Sequence, residues 1–336
     1  MSHSLRLIDK LPPGILDVTL KDIMDLFPQP TVIDLPGRRD QPLFASILLH
    51  GNEDAGLIAL QELLKRYTDR QLPRRLIVFV GNVQACRAGK RFLPDQVDFN
   101  RAWPGSELPN CETHELLQSV TNYVLQKQPF ASIDIHNNTG LNPYYGCICT
   151  TKPAHLYLAS MFSRTAVFFT SPRGVQTQAF MDHCPAITCE CGQIGDRVGA
   201  LRAAELLDSC LHLSEFPDPS PPAELTLFHT VARIRLNQQR SFGFKLGGDI
   251  VLRGDLQSLN FVELLPGEPI ATIQGALNDC FEVTDEKGKD VTVDYLTLRQ
   301  DVVQLSRPSM PSMLTHNVDV IKQDCLGYLM ERYPLT

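Results

Sequence analysis

Apolar positions along this chain follow two rhythms. Short, nearly uninterrupted runs fall at 43–50, 75–81, 130–136, 146–150, 166–170 and 186–192, each of a length that suits a strand buried on both faces. Between several of them, over 54–67, 112–126 and 196–212, apolar residues return at intervals of three and four, which predicts amphipathic helices of about three or four turns. Strands alternating with helices predict an α/β layer built on a largely parallel or mixed sheet. The proline-rich stretch SEFPDPSPPAE, 214–224, stops this rhythm and reads as a linker. Past it come short β-rich segments with turn residues between them, among them LTLFHTVARIRL and FEVTDEKGKDVTVDYLTL. Lys287-Gly288 reads as the turn of a hairpin joining 281–284 to 291–296, and 318–333 reads as a closing helix. The pattern thus predicts two domains, 1–218 and 219–336, the second smaller and antiparallel.

Composition narrows the class. With 336 residues, 43% hydrophobic and 21% charged, the chain has enough apolar material for a substantial core. The opening MSHSLRLIDKLPPG lacks the apolar centre of a secretory signal, and no run approaches the roughly 18 apolar residues that span a bilayer. A cytoplasmic protein without membrane partners is expected. A net charge of −7 argues against a nucleic-acid surface, which needs clustered cations to release counterions. Locally the sign reverses: between Arg74 and Arg101 lie Arg74, Arg75, Arg87, Lys90, Arg91 and Arg101 against only Asp95 and Asp98. That excess fits either a solvated cationic face or a site for a small anion. Ten cysteines with no C-x-x-C suit a reducing compartment, and the pairs Cys147/Cys149 and Cys189/Cys191 read as small core residues more readily than as metal ligands.

Several predicted strands carry polar groups where burial favours apolar ones. The first ends at His50 with Glu53 three positions on, ASIDIHNNTG ends its strand with His136, and AITCECGQ holds Glu190 in mid-strand. DQVDFNRAWPG offers Asp98, Asn100 and Arg101 ahead of Trp103. Loops at the carboxyl ends of strands converge beyond an open sheet, where such folds bind ligands. Catalytic zinc takes about three protein ligands, imidazole and carboxylate among them, and leaves one position open. His50, Glu53 and His136 supply that set. Glu190, a carboxylate in an apolar strand, is costly unless paired or used, and is the candidate general base. Alone, His-x-x-Glu is more often a capped turn, and His136 more often a hydrogen-bonded structural histidine; the combination carries the inference.

The ordered set His50-Gly51-Asn52-Glu53, NVQACRAGKRFLPDQVDFNRAW, Asp134-Ile135-His136 and Glu190-Cys191-Gly192 resembles the succinylglutamate desuccinylase and aspartoacylase family, relatives of the zinc carboxypeptidases. The likeness covers residues 43 to about 210, and DLQSLNFVELLPGEPIATI is similar to the β-rich C-terminal domain of the desuccinylases. The resemblance implies a carboxypeptidase-like α/β/α domain with a mixed twisted sheet, and a β-rich C-terminal domain that narrows the entrance to the active site. It implies one zinc per chain, held by His50, Glu53 and His136, with Glu190 as general base and then acid. It further implies that Arg91 polarises the scissile carbonyl, that Asn100 and Arg101 hold a substrate carboxylate, and that Asp98 orients His50. A guanidinium fork suits a carboxylate, and an acceptor on the far ring nitrogen makes an imidazole a better ligand.

The expected function is a zinc hydrolase cleaving the amide of a small, anionic N-acyl amino acid. A metallocarboxypeptidase acting on short peptides uses the same parts, and a non-catalytic metal-dependent binding protein is the alternative of another class; Glu190 and Arg91 speak against the latter, because binding alone requires neither. A cysteine amidase built on Cys189 or Cys191 is disfavoured by the adjacent carboxylate. Substrate identity stays open. Residues 137–145 read more like the aspartoacylase segment, the C-terminal part more like the desuccinylases, and Trp103 stands where many relatives carry phenylalanine. Arg173 and Tyr295 are further candidates for substrate contact, Arg173 reading more readily as a solvated loop arginine.

Overall fold

The computed structural model describes residues 5–217 and 224–335; the expected boundary at 218/219 lies outside the described residues. The chain divides into two compact units, Met1–Asn137, Tyr144–Phe168 and Pro172–Thr226 forming one, and Asn138–Pro143, Phe169–Ser171 and Leu227–Thr336 the other. Two short inserts from the earlier part of the chain therefore belong to the second unit.

Eight strands run through the first unit: β1 (Arg6–Ile8), β2 (Thr31–Leu35), β3 (Gly37–Ile47), β4 (Leu72–Val80), β5 (Ala131–Asn138), β6 (Tyr145–Ile148), β7 (Thr165–Phe168) and β8 (Ala186–Gln193). Their order is β1-β2-β4-β3-β5-β8-β6-β7. β3 lies parallel to β4 and β5, whereas β2 opposes β4 and β6 opposes β8, so the sheet is mixed. β5 is buried at every residue, as a strand covered on both faces must be. Helices Ala55–Lys65 and Arg197–His212 pack together on one face, the first so close that a Cβ on Gly56 would come within 2.8 Å of the Ile47 side chain. Glu112–Leu125 covers the other, setting Leu116, Leu117, Val120 and Val124 against Phe44, Ile77 and Phe79.

All six strands and three helices read from periodicity are present. β2 escaped that reading because Asp34 interrupts its apolar run; the carboxylate accepts two bonds of 2.6 Å from Arg75 and one of 2.5 Å from Tyr123.

In the second unit β9 (Thr226–Leu236) is flanked by the antiparallel strands Phe281–Asp285 and Gly327–Tyr333. A five-stranded sheet runs in the order Phe242–Gly243, Ile250–Leu252, Pro269–Ile273, Val302–Leu305 and Leu296–Arg299. Ile234, Leu252, Phe281, Val303 and Leu329 share one core, which makes this part β-rich as expected. Two details differ. The turn at Lys287-Gly288 forms, with Asp285 N–H donating to Lys289 O at 3.0 Å, but 281–285 pairs along its length with β9, and the return arm is limited to a Thr284–Asp290 bridge and Val291 N–H donating to Val283 O at 2.8 Å. Asp290 instead accepts bonds from the Thr292 amide and hydroxyl at 2.8 and 2.6 Å and starts the short helix Thr292–Tyr295. The expected closing helix is real only over Val318–Gln323. A Cβ at Gly327 would come 2.7 Å from Leu314 and 2.9 Å from Ser312 O, and the chain leaves the helix to complete the edge of β9.

Candidate active site

β3 delivers the first ligand candidates through an abrupt corner. Leu48, just past the strand, adopts a left-handed φ of +59°, a conformation that disfavours side chains with a Cβ. Asn82 N–H donates to its carbonyl at 2.7 Å, which fixes the turn. Gly51 then crosses helix Val83–Ala88 so closely that a Cβ would sit 2.2 Å from the Ala85–Cys86 backbone, and its N–H donates to Arg91 O at 3.0 Å. The helix that follows starts with Ala55 N–H donating to Asn137 Oδ1 at 2.9 Å, so β5 supplies the partner that a first-turn amide lacks.

His50, Glu53 and His136 are all buried, and their ligand atoms lie within 4.8 Å of one another. His50 Nδ1 is 2.7 Å from Glu53 Oε1, His136 Nδ1 is 2.8 Å from Glu53 Oε2, and the two Nδ1 atoms are 3.2 Å apart. Each ring's far nitrogen meets a carboxylate: His50 Nε2 lies 3.0 Å from Asp98, His136 Nε2 2.8 Å from Asp134. An ionised carboxylate only accepts, so each ring's Nε2 donates outward; Nδ1 then either shares a proton with Glu53 or, with a cation in the cluster, turns its lone pair inward. Two lone pairs and two carboxylate oxygens thus converge on one point, a donor set suited to a cation with zinc's preferences. Burial alone would raise the Glu53 carboxyl, but His50 and His136 hold it far below its ordinary range. His136 responds in the opposite sense: burial disfavours its charge, yet Asp134 and Glu53 raise it well above the ordinary histidine value. A proton and a metal are alternative ways to satisfy this cluster.

Asp134 and Asn137 are the residues that sequence reasoning left unassigned. Asp134 is fully buried in β5 and also accepts from Ser46 Oγ at 2.5 Å. Asn137 donates from its backbone to Glu53 Oε2 at 3.1 Å and from its side chain to the Gly192 and Gln193 carbonyls, tying the ends of β5 and β8 to the corner. The signal that singled out Glu190, an acid in an apolar strand, was equally present at Asp134.

Residues 98–101 fold against the same cluster. Asp98 caps the 3-10 turn Phe99–Arg101 by accepting from Asn100 N–H at 2.8 Å, and Arg91 donates to its second oxygen at 3.0 and 3.3 Å. Burial would push the Asp98 carboxyl up, but Arg91, His50 and Arg101 hold it well below the usual carboxylate range. An Arg91 guanidinium nitrogen is 4.0 Å from Glu53. Arg101 donates to the Asn100 carbonyl at 2.8 Å, and Asn100 Oδ1 is buried without a hydrogen-bond partner. Glu190 in β8 is buried, and its Oε2 has no partner either. Burial pushes its carboxyl up to about 7, with His136 opposing and Glu53 adding to the rise.

Other candidates go elsewhere. Arg74 is buried against the Phe130 ring and donates to the Gln41 and Leu213 carbonyls, and Arg75 is committed to Asp34. Arg87 and Lys90 are exposed. Of the six cations in the local excess, only Arg91 and Arg101 act on the cluster. Arg173 is exposed with Glu107 at 3.5 Å, as a solvated arginine would be. Tyr295 is packed into the core of the second unit. Cys147, Cys149, Cys189 and Cys191 are buried free thiols, and burial raises all four, with Glu190 adding to the rise at Cys147 and Cys191, the opposite of what a nucleophile needs. Trp103 is a core residue, edge-on to Phe44, Phe79 and Phe180 at 6.4, 6.0 and 6.2 Å. No described helix is long and apolar enough to cross a membrane.

Comparison with known proteins bears on the family and the fold. A family model described as the succinylglutamate desuccinylase/aspartoacylase catalytic domain matches residues 43–214. A succinylglutamate desuccinylase from Serratia proteamaculans is 44% identical over 254 residues, 69% of this chain and 74% of that one. Among solved structures, the succinylglutamate desuccinylase from Chromobacterium violaceum aligns with a TM-score of 0.61 at 18% identity, covering 90% of this chain and 89% of that one. Murine aminoacylase 3 aligns with a TM-score of 0.58 at 15% identity, covering 89% and 97%. At such identities the structural likeness speaks for the fold.

Proposed function

The chain belongs to the succinylglutamate desuccinylase/aspartoacylase family, and from that membership we propose that it is a zinc-dependent hydrolase cleaving the amide bond of a small, anionic N-acyl amino acid. The observation that carries this reading is the convergence of the His50, Glu53 and His136 donor atoms in one cluster that also bears on the Glu190 carboxyl, whose Oε2 has no partner among the described residues. The names of the relatives point to the same class, since one is a desuccinylase of succinylglutamate and another an aminoacylase.

His50 and His136 would hold the metal through Nδ1 and Glu53 through its carboxylate. A zinc ion held there would supply Lewis acidity toward the amide carbonyl and the attacking water. Glu190 takes a proton from that water and returns it to the departing nitrogen; a carboxyl raised toward neutrality by burial suits both transfers. Arg91 offers its guanidinium to the oxygen that gains charge as the carbonyl is attacked, a role worth about 3 kcal/mol for one well-placed donor. Arg101 holds the substrate's carboxylate through its guanidinium, with the Asn100 side-chain N–H as the second donor. Asp98 and Asp134 keep the two imidazoles in the tautomer that leaves Nδ1 open.

The test is a screen of zinc-loaded and chelated protein against succinylated, acetylated and aspartyl-type N-acyl amino acids alongside dipeptides. Zinc-dependent release of a free amino acid from an acyl substrate, with dipeptides slower, is the expected result. Turnover of dipeptides alone would replace deacylase with peptidase.

A further inference from the structure

The first unit holds a second chemical cluster, outside the candidate metal site. Cys111 is the residue at the N-cap of helix Glu112–Leu125, and His114 stands three positions on, so both side chains rise on the same side of the first turn. Cys111 Sγ lies 3.2 Å from His114 Nδ1, and His114 Nε2 lies 3.0 Å from Ser106 Oγ. The Ser106 hydroxyl donates its proton to the Arg101 carbonyl at 2.6 Å, which leaves its oxygen to accept from His114. The ring proton is therefore on Nε2, and the Nδ1 lone pair faces the thiol. This is a nucleophile, a base and a third group fixing the base's tautomer. Nine of the ten cysteines are buried; Cys111 alone is partly exposed.

A cavity of about 300 Å³ adjoins the cluster, lined by Trp103, Ser106, Asn110, His114, Glu115 and Gln118. Trp103 is fully buried, yet its indole N–H has no acceptor. An unpaired buried donor is costly, and the residue that carries it lines the cavity. The polar Asn110 and Gln118 suit amide groups as well.

We infer that Cys111 is a site of covalent thiol modification, with His114 as its base and the adjoining cavity as the seat for a small, amide-bearing disulfide. Cys111 Sγ passes its proton to His114 Nδ1 and attacks one sulfur of the disulfide. The new Sγ–S bond forms, the old S–S bond breaks, and the departing thiolate takes the proton from His114. One thiol and one disulfide give one mixed disulfide and one small thiol; Cys111 is oxidised and the departing sulfur reduced.

The experiment uses the full chain and does not depend on any hydrolase activity. Dipyridyl disulfide gives the kinetics, since its released thiopyridone absorbs, and oxidised glutathione gives the adduct, located by peptide mass spectrometry. In the native protein one thiol is expected to react, at Cys111, at least about 10-fold faster than the same thiol in the unfolded chain, because the base and the access are both preset. Cys111→Ser should remove that phase and His114→Gln should slow it about 10-fold. Trp103 is the chain's one tryptophan, so glutathione addition should shift its emission. A fast phase that survives Cys111→Ser, a native Cys111 no faster than the unfolded thiol, or an adduct that leaves the emission unchanged would each overturn the inference. The comparison with the unfolded chain needs no variant, so it decides the matter even if His114→Gln does not fold.

Discussion

Nδ1 of His136 lies 3.2 Å from Nδ1 of His50, with Glu53 Oε2 2.8 Å from the first and Glu53 Oε1 2.7 Å from the second. Since Asp98 and Asp134 draw the ring protons outward, this meeting of acceptors calls for a cation. We predict about one zinc per chain by elemental analysis, and loss of the metal in His50→Ala and His136→Ala. Chelation should leave the far-ultraviolet spectrum intact, because the sheet around the site has its own apolar core. Full metal occupancy in His136→Ala would remove it from the ligand set.

Asp134 should matter although it would touch no metal. Asp134→Ala takes the acceptor from His136 Nε2 and leaves Ser46 without its 2.5 Å partner. Zinc affinity, read by competition with a chromophoric chelator, should fall about 10- to 100-fold. Asp134→Asn should lose less, since the amide oxygen still accepts from the ring. Affinity equal to wild type in the alanine variant would show that the ring needs no such support.

At Glu190, Gln should keep the zinc and lower kcat by about 10² to 10⁴. The carboxyl titrates at about 7 without metal, burial being the main cause, and it can act as a base only when ionised. The rate therefore falls as pH drops through its ionisation. A bound cation favours the ionised form, so the acidic limb of kcat/KM in the zinc enzyme should lie below about 7. A wild-type profile with no acidic limb would separate Glu190 from proton transfer.

The two arginines should fail differently. Arg101→Ala removes a contact made equally with substrate and transition state, so KM should rise with kcat little changed. Arg91→Ala removes a donor to charge that grows only during the reaction, so kcat should fall by about 10². Esterifying the substrate carboxylate should mimic Arg101→Ala and add little to it. Large further damage in the double perturbation would assign that carboxylate to another residue.

How much of this was readable in advance depended on the range of the interaction. Strand and helix periods in the first unit are local properties, and the runs at 43–50 and 130–136 led straight to His50 and His136. Their convergence needed the pairing of β3 with β5, which only the ordered family resemblance could anticipate. Charge counting misled for a physical reason: Arg74 and Arg75 belong to the same positive excess as Arg91 and Arg101, yet one is spent on carbonyls and a phenyl ring and the other on Asp34. The C-terminal segment departs from its helical pattern where 327–333 pairs with β9, a long-range contact that local periodicity does not encode. Asp134 was missed by an uneven application of the buried-acid argument.

Asp98 serves two cations at once, one oxygen toward His50 and the other toward Arg91. That sharing makes the site reciprocal. Any anion that draws the Arg91 guanidinium toward itself releases Asp98 to bear more fully on His50, and a more strongly polarised imidazole is the better electron donor. By linkage, whatever tightens the hold of His50 on its ligand must also ease the departure of Arg91 from Asp98, by the same factor. For the proposed zinc and anionic substrate, retention of the one and recognition of the other would then be a single coupled equilibrium, and the metal should be held most firmly with the anion present.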